Sequence, residues 1–149
     1  MPLPDLDHRG LLPPGVHEGS LIEIGQRFCT NPHRQALWAT VEQFLRLSLL
    51  PLLNGRELIL AGSFFSDKDL PEDIEATVII DAIDVSDLPL IRLGLSRDTI
   101  HRDYKLDLYL TLRVPGHNDF SVFFQYVGPK TAAAKNLLPE DLRGVIKVT

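Results

Sequence analysis

The stretch "AGSFFSDKDLPEDIEATVII", from Ala61 to Ile80, decides how the rest of the chain is read. A Gly62-Ser63 pair follows an apolar run and an acidic turn comes next. Asp73 and Glu75 then stand one residue apart at the start of a β-branched run. On a strand, residues i and i+2 leave the same face. The two carboxylates therefore point one way, while Ile74, Ala76 and Val78 point the other and would pack on helices. Alone, the stretch is a hairpin with a solvated acidic loop, because Gly-Ser and Asp-x-Glu are both common. A second strand has to supply what would make it a site.

That strand is "DYKLDLYLTLRV", residues 103–114, which alternates along its length. Leu106, Leu108 and Leu110 share one face, and Asp107 and Tyr109 share the other. If the two strands are neighbours, Asp73, Glu75 and Asp107 converge on one face of a sheet. Hard oxygen donors grouped this way suit Mg²⁺ or Mn²⁺, and without a cation they repel one another. Gly62 allows a close backbone approach to a ligand, and the amides after it, with the Ser63 hydroxyl, suit a phosphate. Phosphates beside two metal ions are the layout for activating a hydroxyl and stabilising a leaving pyrophosphate.

The rest of the chain reads as alternating helices and strands. Ser20 and Glu23 have capping-box spacing ahead of a helix over 21–28. Asn31 caps a second helix with Pro32 at its first position. Leu37, Val41, Phe44 and Leu45 give that helix one apolar stripe, and Trp38 and Cys29 belong with the same core. Pro51 and Asn54-Gly55 end it and turn the chain into a strand over 56–61. A short helix is expected over 87–95, a helix capped by Asn118 or Asp119 through "FSVFFQYV", and a last strand "GVIKV". Phe120, Phe123, Phe124 and Val127 are expected in the core. Residues 1–19, rich in Pro, Gly and charge, are expected as an extended arm, and 20–149 as a single domain. The fold class is α+β, a small mixed central sheet flanked by helices.

Composition narrows the functional classes. A chain of 149 residues suits one domain, and 44% hydrophobic with 23% charged residues is a globular balance. A net charge of −5 argues against broad DNA binding and against anionic membranes. It leaves room for a nucleotide, since a divalent ion reverses the local sign of a carboxylate cluster. One cysteine, Cys29, excludes an intrachain disulfide and fits a reducing compartment. With no apolar leader region and no run of membrane-spanning length, the expected location is cytoplasmic. Other sites fail on spacing. An EF-hand beginning at Asp67 would put Glu72 where glycine is needed and Val78 where glutamate is needed. The histidines lack zinc-ligand spacing, and Ser63 is not on a nucleophile elbow. Asp67, Lys68 and Asp69 read first as a solvated turn, with Asp67 or Lys68 near the expected phosphates. Lys130, Lys135, Arg143 and Lys147 form a basic C-terminal patch, first of all a solvated face. Lys130 and Arg143 are its candidates for reaching a triphosphate.

Taken together, Ala61-Gly62-Ser63, Asp73-Ile74-Glu75 and Leu106-Asp107-Leu108 resemble the signature of the DNA polymerase beta-type nucleotidyltransferase superfamily. More narrowly, "LLPPGVHEGSLIEIGQRFCTNPHR", "GSFFSDKDLPEDIE", "YKLDLY" and "LRGVIKV" resemble a bacterial branch of small, stand-alone members. That branch is similar to the nucleotidyltransferase halves of toxin–antitoxin and defence pairs. The resemblance runs from Leu11 to Val148. It implies a nucleotidyltransferase fold, a nucleoside triphosphate with Mg²⁺ or Mn²⁺, and an acceptor hydroxyl on protein or RNA. It also implies Asp73, Glu75 and Asp107 as metal ligands and catalytic residues, with Asp107 as general base. Gly62 and Ser63 would hold phosphate. Glu75 stands where this branch more often carries aspartate, and its longer side chain would shift the ion. The alternative implication is a degenerate nucleotidyltransferase fold serving as a protein-binding module, an antitoxin or defence-system subunit.

Overall fold

The computed structural model describes residues 2–149. Its elements in chain order are β1 (Gly15–Gly19), α1 (Leu21–Phe28), α2 (Pro32–Phe44), β2 (Glu57–Ala61), β3 (Ile74–Ile80), α3 (Leu88–Leu95), α4 (Arg97–Tyr104), β4 (Leu106–Leu112), α5 (Phe120–Phe123), α6 (Gly128–Lys135) and β5 (Gly144–Val148). The strands form one open, mixed sheet in the order β1-β5-β2-β3-β4. Only β2 runs against the other strands. One end of the sheet therefore gathers the C-terminus of β2 and the N-termini of β3, β4 and β5. The class is α+β, as the alternation of patterns implies.

Alternation along the strands builds two unequal faces. Leu58, Leu60, Ile74, Ala76, Val78, Leu106 and Leu108 are buried in one large cluster with Ile24 and Phe28 of α1 and Leu37, Trp38 and Val41 of α2. The opposite face carries a smaller cluster of Ile59, Ala61, Ile79, Phe124 and Val145, partly covered by α5. Thr77 and Thr111 meet there through a buried hydroxyl pair at 2.7 Å. The acidic positions belong to this second face, whose apolar cover is thinner.

The caps follow the sequence, with one change. Ser20 accepts from the Glu23 amide at 3.1 Å. The Glu23 carboxylate turns outward instead of closing the capping box and accepts from the Leu3 amide at 2.6 Å. Asn31 accepts from the Arg34 amide at 2.8 Å, with Pro32 at the first turn of α2.

Several boundaries differ from the sequence reading. Residues 15–19, within the expected extended arm, form β1, which joins β5 in parallel register, and Leu3, Leu11 and Leu12 are buried. Residues 103–105 end α4 rather than begin a strand, with Lys105 in the left-handed region at φ 60°. α5 stops after a single turn. The connection after it holds α6, whose only buried residue is Ala132. No helix among the described residues is long and apolar enough to cross a membrane.

Candidate functional site

The two acidic strands are neighbours. β3 and β4 run parallel with Glu75 paired to Asp107, and β2 pairs Ala61 with Glu75 from the other side. The chain leaves β2 through Gly62, whose backbone sits at φ 106° and ψ −176°, a region open to glycine alone. A Cβ at this position would lie 3.6 Å from the Glu75 Cγ. A 3₁₀ turn, Ser63–Phe65, follows.

A cleft of about 620 Å³ opens at this end of the sheet, and Ser63, Lys68, Asp73, Glu75, Lys130 and Arg143 are among the residues that line it. Segments far apart in sequence thus meet in one concavity of a size that suits a nucleotide. Among the described residues, Lys68 and Lys130 have no ion-pair partner. Two members of the basic patch are engaged elsewhere: Lys135 pairs with Asp67 at 2.6 Å, and Lys147 with Glu57 at 3.4 Å.

Each acid faces its own nitrogen partner. Asp73 lies 2.9 Å from His101 Nε2. Asp107 receives Arg97 Nε on one oxygen at 2.7 Å. Its other oxygen takes Arg97 Nη2 at 3.3 Å and the Tyr109 hydroxyl at 3.0 Å. The Arg97 guanidinium also stands 4.0 Å over the Tyr109 ring. Glu75 has the loosest arrangement, 4.0 Å from Arg143 Nη2. Burial pushes the Glu75 carboxyl above the ordinary glutamate value; Arg143 opposes the shift, and Asp73 and Asp107 add to it. Burial and the Asp107 carboxylate push the Tyr109 phenol up to about 12. Desolvation lowers the Arg143 guanidinium, with Glu75 acting the other way.

The donors are carboxylate oxygens, the right kind for a hard divalent ion, and Glu75 and Asp107 are level on adjacent strands. Among the described residues, however, no three such side chains are drawn into a tight ligand cluster. Each carboxylate takes a separate nitrogen partner instead, an arrangement that keeps like charges apart. The donor set fits a divalent ion in kind and in backbone position, provided that Arg97 yields Asp107.

Support for the loop comes from beneath it. Arg34 of α2 is 3% exposed and has no carboxylate partner among the described residues. All five of its donors go to carbonyls: Phe28, Phe64, Ser66 and twice Lys68. Asn31 and His33 hold the carbonyls of Asp69 and Pro71 at 2.8 and 2.5 Å. The N-terminus of α2 thereby fixes the segment that carries Ser63 and Lys68.

Sequence reasoning missed Arg97, His101 and the exposed aromatics of the cleft. Arg97 and His101 lie four apart on α4, a spacing that shares a helix face, but the strand pattern expected from residue 103 cuts across the end of this helix. Phe123, expected in the core, is 63% exposed and lines the cleft, whereas Phe124 and Val127 are buried as expected.

The family of unknown function DUF6932 matches residues 4–149. The chain belongs to that family. No curated protein and no solved structure matches it.

Proposed function

We propose that this member of DUF6932 is a metal-dependent nucleotidyltransferase that moves a nucleoside monophosphate from a nucleoside triphosphate to a hydroxyl of a protein or RNA acceptor. The observation that carries the reading is the pairing of Glu75 with Asp107 on adjacent strands, with Glu75 beside Gly62 and lining a cleft that also carries Lys68, Lys130 and Arg143. Asp73 and Glu75, with Asp107 once it exchanges Arg97, would hold Mg²⁺ or Mn²⁺. A bound ion neutralises charge on the transferring phosphate and its leaving group.

The protein's own groups do the rest. The loop after Gly62 and the Ser63 hydroxyl receive phosphate oxygens. Lys68, Lys130 and Arg143 offset the charge of the triphosphate, with Arg143 suited to a bidentate contact through its planar fork. Asp107 accepts the acceptor hydroxyl's proton as that oxygen attacks the α-phosphorus and pyrophosphate leaves. Arg97, displaced from Asp107, is left beside the Tyr109 ring. A cytoplasmic setting and a toxin–antitoxin partner protein belong to the same proposal.

The test is transfer from α-labelled nucleoside triphosphates to protein and RNA fractions. Label appears with the wild type and Mg²⁺ and is absent with Asp73→Ala, while circular dichroism stays unchanged. Equal labelling by both proteins sinks the mechanism.

One observation favours a second reading. Arg97 already pairs with Asp107, and His101 already takes a hydrogen-bond position on Asp73, as in a catalytically degenerate domain. In that case the chain is a protein-binding module, an antitoxin or defence-system subunit. It would bind no nucleotide with or without metal and would form a stable complex with a partner protein.

A further inference from the structure

The cleft has a second chemical character that phosphate binding does not use. Phe123 and Tyr126 line it and are 63% and 41% exposed. Their aromatic neighbours are occupied elsewhere. Phe120 stacks on Tyr109 with centroids 4.5 Å apart, and Phe124 is 3% exposed. Phe123 is the ring that this cluster leaves outside, 6.2 Å from Phe124 by centroid. A ring so exposed gains little from the fold, since burial is what stabilises an apolar side chain.

Both aromatics are tied to the cationic part of the lining. The Phe124 carbonyl, one residue from Phe123, accepts from Arg143 Nε at 3.3 Å. Tyr126 forms a bridge with Leu142, the residue before Arg143. The Arg143 amide itself donates to the Gln125 carbonyl at 2.8 Å. A backbone frame thus couples two exposed rings to a guanidinium that faces Glu75. The lining combines anion-binding groups with flat apolar rings, a division that matches a nucleotide's phosphates and its base.

We infer that Phe123 and Tyr126 form the stacking wall for the base of the nucleotide whose phosphates lie at Ser63, Lys68 and Arg143, an assignment that rests on the function proposed above. Every base has a π-face, so stacking gives affinity without strict base choice. Selectivity among bases is accordingly weak, with purines ahead of pyrimidines because they cover more ring.

The test is calorimetric titration in Mg²⁺ with ATP and with inorganic tripolyphosphate, on the wild type, Phe123→Ala and Phe123→Trp. Because Phe123 is exposed, the variants are expected to fold. Phe123→Ala weakens ATP by roughly tenfold, leaves tripolyphosphate unchanged, and is rescued by Phe123→Trp. Unchanged ATP affinity in Phe123→Ala overturns the assignment. Equal weakening of both ligands also overturns it, since the ring would then act on the phosphate end. If the wild type binds neither ligand, the functional reading itself fails and the assignment falls with it.

Discussion

Arg34 and Arg143 are both largely buried, and desolvation lowers the pKa of each guanidinium, yet the protein uses them in opposite ways. Arg34 places all five donors on carbonyls of α1 and of the loop after β2. Arg143 makes a hydrogen bond with Nε to the Phe124 carbonyl and otherwise faces Glu75 across 4.0 Å. Saturated donors hold a structure together, and donors left over are available to a ligand. The two residues stand on either side of one loop, Arg34 beneath it and Arg143 in the cleft. The contrast thus separates what builds the site from what the site offers.

Breaking the Arg34 side of the contrast has the largest expected effect. Arg34→Met leaves several buried carbonyls without donors, at about 1–3 kcal/mol each. The expected total loss is at least about 3 kcal/mol, read as a lower urea midpoint. A midpoint unchanged from wild type would mean that the carbonyls find water.

Arg143→Met sharpens the comparison from the other side. Stability is expected to fall less than in Arg34→Met: the variant removes a desolvated charge but leaves Glu75 without its facing cation, and that carboxyl can take up a proton instead. Mg²⁺-dependent ATP affinity falls by roughly ten- to a hundredfold, the usual range for a charge-assisted contact. Loss of stability without loss of binding would reverse the assignment of the two arginines.

Glu75 provides a pH test of the same slack region. Its folded pKa is raised above 4.5, so on raising the pH the unfolded chain releases this proton first. The contribution is therefore full below that value and is lost as pH rises through the folded one. Urea midpoints measured from about pH 4 to 7 should show that decline, and Glu75→Gln should flatten it. An identical pH profile in the variant would show that Glu75 is not the group responsible.

The smallest effect belongs to Arg97, 44% exposed in its pair with Asp107. Arg97→Ala frees the carboxylate, and Mn²⁺ affinity read by electron paramagnetic resonance should rise by roughly two- to fivefold, as an exposed ion pair allows. Unchanged affinity would mean that Arg97 does not compete for the site.

The parts of the fold that sequence makes legible are those with a strict period. Leu106, Leu108, Asp107 and Tyr109 alternate over a full strand, so their faces follow from the residue order, and the pairing of Glu75 with Asp107 needs only that the strands be adjacent. β1 is less visible because "GVHEG" is five residues bracketed by glycine, and its place depends on the edge that β5 presents. α4 and α6 each bury a single residue, Ile100 and Ala132, too few to mark a period. The exposure of Phe123 escapes the sequence for a related reason. The helical period that would bury it presumes a continuous helix to Val127, and α5 ends after one turn. Of the candidate site, the acids and cations were visible as residue types. Their partners on α4 were not, because Arg97 and His101 reach the acids only through tertiary packing.

Calorimetric titration of the wild type with ATP, with and without Mg²⁺, alongside Asp73→Ala, tests the central claim most directly. The account predicts saturable binding by the wild type in Mg²⁺, little without the metal, and none by Asp73→Ala. Metal-independent binding that survives in Asp73→Ala, or no binding under either condition, would contradict it.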